Sequence, residues 1–369
     1  MGPNERLLSL DALRGFDMLF IMGFAALVAS LCTLWPNAFT DALALQMGHA
    51  SWNGLTHHDT IFPLFLFIAG VSFPFSLAKQ RAARLGEGSI LRRVIRRGLT
   101  LVVLGMVYNG LFRFDFASLR VASVLGRIGL AWMFAALLYM YCGVRTRAIT
   151  AGAILVGYSL LLCLVAAPDA PVGADPLSFE GNLAGWFDRR WLPGSLYYGT
   201  FDPEGLLSTL PAIATALFGM FTGEYLRREQ AGLSGGTKAL YMALAAAAIT
   251  LVGLGWSCVM PINKMLWSSS FTCVVTGYSL GMFALFYYLI DVRGWKRWTL
   301  FFRVIGLNSI TIYLAQRIIP FGRISDFFLG GIASKCPETA AAVLDNAGYV
   351  AVCWLFLYFL YKKNTFLKV

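Results

Sequence analysis

Histidine is confined to one short segment of the chain, which reads "MGHASWNGLTHHDTIFPLFLFIAG". Histidine is the side chain most often used for proton transfer, because its unperturbed pKa of about 6.5 lies near neutrality. A neighbouring carboxylate can fix the tautomer of an imidazole. The segment therefore predicts a proton-transfer site. The side chains in it that could take part are His49, Trp52, Asn53, His57, His58 and Asp59.

Two other interpretations of this segment stay open at the level of the residues. It could be an interfacial loop whose polar side chains meet lipid headgroups. It could also hold a metal ion through His57, His58 and Asp59, although adjacent histidines rarely point to one ion. The seven cysteines form no C-x-x-C pair and are interpreted as small buried hydrophobes, so no metal cofactor is predicted.

A second group of ionisable residues lies near the start of the chain, in "SLDALRGFDMLFIMG". Asp11, Arg14 and Asp17 are three positions apart, so on a helix they follow one another along one face. Charged groups within an apolar run are costly, and they usually face a cavity or one another. They predict an ion-paired ladder with Arg14 reaching to the interface, a ligand site, or both.

Polar residues also stand at the ends of several other apolar runs. Taken singly, each could be an interfacial anchor or a helix cap. Taken together, most of them fall at one predicted depth on different runs, which a binding site between helices requires. On the side that carries the histidines they are Arg127, Asp202, Glu204, Asn263 and Lys264, whereas Asn308 lies towards the opposite half.

The elements that position these residues are predicted from composition. The chain has 369 residues, of which 58% are hydrophobic and only 13% charged, whereas soluble domains carry about 25% charged residues. We therefore predict an all-α polytopic transmembrane helix bundle of about ten spans, with residues 1–369 forming a single transmembrane domain. The apolar runs are 12–34, 60–78, 98–112, 121–141, 149–167, 205–226, 239–259, 267–290, 301–320 and 348–361.

Lysine and arginine predict the orientation of this bundle. The 78–97 connection carries seven of them, and such a cluster belongs in the cytoplasm. Alternating from there, 20 basic residues fall on the cytoplasmic side and eight on the other. Both termini are then cytoplasmic, and the 35–59 and 168–204 connections lie outside. The net charge of +11 is explained by this asymmetry, so no nucleic acid is expected as a partner. The first run is expected to stay in the mature protein, because its charges would interrupt a signal peptide.

Six segments together resemble the heparan-α-glucosaminide N-acetyltransferase family, whose bacterial relatives are multi-spanning proteins of this size. The resemblance covers nearly the whole chain, and the segments occur in the family's order, which is more specific than any one motif. They read "SLDALRGFDM", "HASWNGLTHHDTIFPLFLFIAG", "VLGRIGLAW", "FDPEGLLSTL", "PINKMLWSSSF" and "GLNSITIYL".

The resemblance implies acetyl transfer across a membrane, from cytosolic acetyl-CoA to a glucosamine amine on the other side. The family's active histidine stands in the "H-A-S-W-N-G" segment, which makes it His49 here. The orientation predicted from charge independently puts His49 outside. His49 would act either as the base that deprotonates the amine or as the acceptor of the acetyl group itself, with Asp59 as its partner.

The remaining predicted site residues follow from the same resemblance and topology. The pantetheine arm of coenzyme A would pass between helices, and its phosphates would rest at the cytoplasmic mouth beside Arg14 and the basic 78–97 connection. The predicted donor site comprises Asp11, Arg14 and Asn308. The predicted acceptor site comprises Trp52, Asn53, Arg127, Asp202, Glu204, Asn263 and Lys264.

The chain departs from the family pattern in ways that bear on the acceptor. "IMGFAALVAS" lacks the asparagine of the family's first span, Gly126 replaces a glutamine, and His57 and His58 replace apolar or small residues. An O-acyltransferase of envelope glycans is therefore an alternative, as are a small-molecule transporter and a scaffold without catalysis. The expected location is a bacterial inner membrane in contact with lipid, and a homodimer is left open.

Overall fold

Helices form the secondary structure of the computed structural model, which describes residues 7–228 and 233–367. Within these residues no strand occurs, and only two isolated antiparallel bridges are present, between Arg120 and Gly194 and between Ala166 and Asn182. The predicted all-α membrane fold is confirmed. The predicted cytoplasmic location of the termini stays a prediction, because helices alone do not give the orientation in a membrane. Residues 1–6 and 368–369 lie outside the described part of the chain.

The α-helices are numbered in chain order. Two stretches of π-helix, Phe20–Phe24 and Tyr287–Val292, continue α1 and α11. The first half contains α1 Leu8–Leu19, α2 Ala25–Cys32, α3 Ala38–Gln46, α4 His57–Ala82, α5 Glu87–Tyr108, α6 Val124–Tyr141, α7 Val144–Leu164 and α8 Leu183–Trp191. The second half contains α9 Thr209–Arg227, α10 Gly235–Trp256, α11 Ser269–Phe286, α12 Thr299–Gly306, α13 Ser309–Ile318, α14 Phe321–Ala333 and α15 Glu338–Lys362.

Within the part of the chain that the structure describes, seven helical segments are long and apolar enough to cross a membrane. Apolar helices of this length satisfy every backbone hydrogen bond internally, as a bilayer demands. The other three predicted runs fall on α5, on α9 and on the interrupted pair α12 and α13, so a count of ten spans stays a prediction. The seven segments are Leu8–Cys32, His57–Ala82, Val124–Tyr141, Val144–Leu164, Gly235–Trp256, Ser269–Val292 and Glu338–Lys362.

Among the described residues, one compact unit comprises residues 7–50, Leu55–Ile61 and residues 282–367. In it α1 packs on α12, α14 packs on α15, and α15 also contacts α2. A Cβ at Gly15 would lie 1.7 Å from the Phe302 carbonyl oxygen, and one at Gly306 would lie 2.0 Å from that of Asp11. The close crossing of α1 and α12 therefore depends on glycine at both positions.

The second compact unit comprises, in the described residues, Ser51–Gly54 and Phe62–Gly281. Its described helices pack as α5 on α6 and as α6 and α7 on α9. A Cβ at Gly219 of α9 would lie 2.2 Å from the Phe67 carbonyl oxygen of α4, which again marks a close helix contact. The single domain assigned to residues 1–369 stays a prediction.

Three helices lie in connections that the sequence interpretation treated as non-helical. Helix α3 begins at a capping box, in which the Asn37 side chain accepts from the Thr40 amide and the Thr40 hydroxyl accepts from the Asn37 amide. Helix α8 is capped by Asn182, whose side chain accepts from the Gly185 amide. Helix α14 contains Phe327, whose side chain is 82% exposed.

Candidate active site

The central feature of the predicted proton-transfer segment is a histidine–carboxylate pair. His49 lies in the loop between α3 and α4, and Asp59 lies in the first turn of α4. The His49 Nδ1 atom is 2.7 Å from Asp59 Oδ1. The Asp59 side chain is 1% exposed and that of His49 is 50% exposed. An ionised Asp59 accepts a hydrogen bond from Nδ1–H, so the neutral tautomer with an unprotonated Nε2 is assigned to His49.

Asp59 is held by donors that converge on its second oxygen. Oδ2 accepts from the backbone amides of Ala50, at 3.1 Å, and Thr56, at 3.2 Å. The Thr56 hydroxyl lies 3.0 Å from the same oxygen and 2.6 Å from the Gly48 carbonyl oxygen. Donors directed at a carboxylate stabilise its charge. The hydrogen bonds between Thr56 and Asp59 thus cap the first turn of α4. The same carboxylate orients His49 through its other oxygen.

The other two histidines have different surroundings. The His58 ring centroid lies 4.6 Å from that of His49. The His57 ring packs against Phe20 at 4.5 Å, and its backbone amide donates to Gln46 Oε1 at 2.9 Å. Among the residues that the structure describes, no group of three or more His, Cys, Asp or Glu side chains could hold a metal ion.

Trp52 and Asn53 follow His49 along the same loop and belong to the second unit. The Trp52 Nε1 atom donates to the Leu177 carbonyl oxygen at 3.0 Å. The Asn263 Nδ2 atom donates to Asn53 Oδ1 at 3.0 Å, and Asn263 is 1% exposed. Asn53 and Asn263, which were predicted separately for the acceptor, are therefore in direct contact. Lys264 follows Asn263 in the chain.

Asp202 and Glu204 bind a residue that the sequence interpretation did not assign to the site. The Arg120 guanidinium binds Asp202 through two hydrogen bonds, of 2.7 Å and 2.6 Å, and it also pairs with Glu204. Its Cζ atom lies 4.7 Å from the centroid of the Tyr197 ring. Such forked contacts are geometrically specific. Arg120 was missed because nothing in its sequence context distinguishes it from an interfacial anchor.

Arg127 is buried at the start of α6, with 2% of its surface exposed. Its guanidinium donates to the Ser208 hydroxyl and, at 3.3 Å, to the Gly205 carbonyl oxygen. It also lies over the Trp267 ring, 5.1 Å from its centroid. Arg127 therefore stabilises the segment leading into α9, which is a structural role in addition to the predicted ligand role.

Asp188 of α8 lies in the same part of the second unit and was missed by the sequence interpretation. Its Oδ1 atom accepts from the Leu206 amide at 2.8 Å, and its side chain is fully buried. Oδ2 has no hydrogen-bond partner in the described residues. Burial raises the pKa of Asp188 to about 7, against the opposing effects of the Leu206 amide and the Arg127 charge.

The three residues predicted for the donor all lie in the first unit. Arg14 Nη1 is 3.5 Å from Asp11 Oδ1, which is one ion pair of the predicted ladder, whereas Asp17 Oδ2 is buried without a hydrogen-bond partner in the described residues. Asn308 lies at the break between α12 and α13, where its Nδ2 atom donates to the Thr365 carbonyl oxygen at 3.3 Å. The Gly306 contact with the Asp11 backbone brings this break next to the first turn of α1.

Comparison with known proteins gives two curated relatives, whereas no family model matches the chain. The human heparan-alpha-glucosaminide N-acetyltransferase is 25% identical over 374 residues, which cover 87% of this chain and 55% of that protein. The mouse heparan-alpha-glucosaminide N-acetyltransferase is 26% identical over 387 residues, which cover 87% of this chain and 56% of that protein. The chain thus spans slightly more than half the length of these relatives. Both similarities support its membership in this family.

Proposed function

We propose, from the family membership that these similarities support, that the chain is a transmembrane acetyltransferase using acetyl-CoA. The acceptor is the amine of a glucosamine-type sugar on the outer side of a bacterial inner membrane. The observation that carries the proposal is the His49–Asp59 pair, with its 2.7 Å hydrogen bond between a half-exposed imidazole and a buried carboxylate. This arrangement suits a base that must be both oriented and reachable.

The chemistry follows from this pair. An ammonium cannot attack a thioester, so the sugar first loses one proton to the solvent and reacts as the neutral amine. The amine nitrogen forms a bond to the acetyl carbonyl carbon, the Nε2 atom of His49 takes the second proton from that nitrogen, and the carbon–sulfur bond breaks. The imidazolium returns the proton to the leaving thiolate, which gives coenzyme A as the thiol and the N-acetyl sugar. Asp59 stabilises the imidazolium through the Nδ1 hydrogen bond.

A two-step route through the same residue is also consistent with this geometry. In it Nε2 of His49 attacks the thioester carbonyl, coenzyme A leaves, and the acetyl-imidazole then passes its acetyl group to the amine. Both routes need the Nδ1 hydrogen bond to Asp59, because it leaves Nε2 with a lone pair. They differ in whether an acetylated protein exists between the two half-reactions.

The proposed contacts to substrates are those predicted from the sequence, with one refinement. Acceptor binding is assigned to Trp52, Asn53, Arg127, Asn263 and Lys264. Asp202 and Glu204 are assigned to the same site through Arg120, because both carboxylates already bind its guanidinium. The phosphates of the donor are assigned to Arg14, with Asp11 and Asn308 nearby in the first unit.

The test uses the full chain in vesicles with radiolabelled acetyl-CoA and a panel of sugars. Glucosamine and terminal α-glucosaminides should be acetylated, whereas N-acetylglucosamine, whose amine is blocked, should not. Equal labelling of N-acetylglucosamine would show that a hydroxyl is the acceptor and would replace the proposal with an O-acyltransferase. No labelling of any sugar, with acetyl-CoA bound, would reject glucosamine as the acceptor class.

A further inference from the structure

A groove of about 260 Å³ runs along α9 and α10 in the second unit. Phe218, Phe221 and Tyr225 line it from α9 at intervals of three and four residues, so they share one face of that helix. Ala245 and Ile249 line it from α10 at an interval of four. Other lining residues come from α4 and α11, and most of the groove surface is apolar.

The groove borders an exposed apolar face of α10. Leu240, Leu244 and Leu251 of α10 are 56%, 57% and 67% exposed, which is typical of a helix face in contact with lipid tails. Tyr241 lies at the groove edge and is 49% exposed. A ligand can therefore enter sideways from the bilayer.

Cations stand at one end of the groove, one helical turn beyond Tyr225 and Tyr241. The Lys238 Nζ atom donates to the carbonyl oxygens of Leu226 and Arg228, at 3.2 Å and 3.0 Å, and an ammonium has a third proton to donate. Arg227 and Arg228 end α9 there and are both exposed. In the described residues at this end, Glu224 is the acidic group that pairs with Arg228.

We propose that this groove binds an anionic phospholipid. One acyl chain lies along the aromatic wall of α9, and the phosphate lies at Lys238, Arg227 and Arg228. The Tyr225 hydroxyl is buried without a hydrogen-bond partner in the described residues, and it donates to the ester carbonyl of the lipid. Basic residues near the membrane surface attract the phosphate of anionic lipids.

The size of the groove favours a lipid chain over the acetyl donor. Its volume of about 260 Å³ is smaller than the roughly 300–1,000 Å³ of pockets that enclose a drug-sized ligand. From Phe218 to Tyr225 the wall extends about 10 Å at 1.5 Å per residue. This length accommodates part of one acyl chain, and it does not accommodate a whole coenzyme A. The lipid site is therefore independent of the proposed acetyl transfer.

The test measures lipid retention by native mass spectrometry of the full chain in detergent, titrated with phosphatidylglycerol or phosphatidylcholine. Phosphatidylglycerol should bind more tightly to the unmutated protein. Ala245→Trp fills the groove and should weaken this binding about ten-fold or more. Leu244→Trp, at an exposed neighbour on α10, is the matched control and should leave it unchanged. Arg227→Gln should reduce the preference for phosphatidylglycerol.

Two further arms identify the occupant. Thr276 lines the groove from α11, and its buried hydroxyl has no hydrogen-bond partner in the described residues. Thr276→Val should leave lipid binding unchanged, because an acyl chain makes no hydrogen bond there. Excess coenzyme A should displace no lipid. Equal binding by Ala245→Trp, weaker binding by Thr276→Val, or displacement by coenzyme A would each overturn the proposal.

Discussion

At the scale of the residue, the decisive feature is the set of hydrogen bonds around Asp59. The sequence predicted that a carboxylate would orient a histidine, because both types occur in one segment. It did not predict that Thr56 and the Ala50 amide would hold the second oxygen of that carboxylate. Those hydrogen bonds depend on the backbone path of the loop between α3 and α4. The hydrophobic periodicity of a sequence predicts helices and does not predict the path of a loop. Arg120 was missed for the same reason, since its partners lie 82 and 84 positions away.

Replacing Asp59 by asparagine should lower acetyl transfer by about 10²–10⁴-fold. The amide of asparagine can donate to Nδ1, which would put the imidazole proton on Nε2 and remove the base. Donor binding should stay unchanged, because Arg14 lies on α1. Initial rates and coenzyme A affinity in detergent check both expectations. A rate near that of the unmutated protein would show that Asp59 serves only the start of α4.

At the scale of the element, hydropathy predicted where apolar helices lie but not where they are interrupted or joined. The ninth run, 301–320, is two helices, α12 and α13, because the chain breaks around Asn308. Helix α8 has only nine residues, three of them charged, so hydropathy could not find it, although Asn182 is a good N-cap. The packing of α8 on the segment before α9 depends on Asp188, which accepts a hydrogen bond from the Leu206 amide, 18 residues further along the chain.

Asp188 should make the stability of the protein depend on pH. Its pKa is raised in the folded state to about 7, from about 3.9 in the unfolded state. The stability that it contributes is therefore fully present below about pH 4 and is lost as pH rises through about 7. Asp188→Asn, which keeps the oxygen facing the Leu206 amide, should remove this dependence.

Thermal unfolding in detergent measures this effect. Between about pH 5 and about pH 8, the unfolding midpoint of the unmutated protein should fall by several degrees more than that of Asp188→Asn. Other groups titrate in both proteins, so the difference between the two curves is the relevant quantity. Parallel curves would contradict the assignment of a raised pKa to this carboxyl group.

At the scale of the whole molecule, charge asymmetry predicts which side each connection faces. The 20 to eight split of basic residues puts the 168–204 connection outside, and the residues around Val172 are well suited to report it. Val172 is fully exposed and lies away from the hydrogen bonds of Ser178 and Asp175. The orientation decides which compartment supplies the sugar and which supplies acetyl-CoA.

Val172→Cys in a background without other cysteines should react with an impermeant maleimide in intact spheroplasts. A cysteine replacing Ser89, between the arginines of the 78–97 connection, is the matched control and should react only after lysis. Labelling of the cysteine at position 89, but not of the one at position 172, in intact spheroplasts would show that the orientation is the reverse of the one predicted.

The central claim is that His49 carries the acetyl transfer, and one comparison tests it directly. Transfer from radiolabelled acetyl-CoA to glucosamine is measured for the unmutated chain, His49→Ala and His58→Ala, with thermal unfolding as the check of folding. We predict that His49→Ala loses transfer by about 10²–10⁴-fold or more while staying folded and binding coenzyme A. His58→Ala, whose ring lies against His49, should lose far less. Near-normal transfer by His49→Ala, or a greater loss in His58→Ala, would contradict the account.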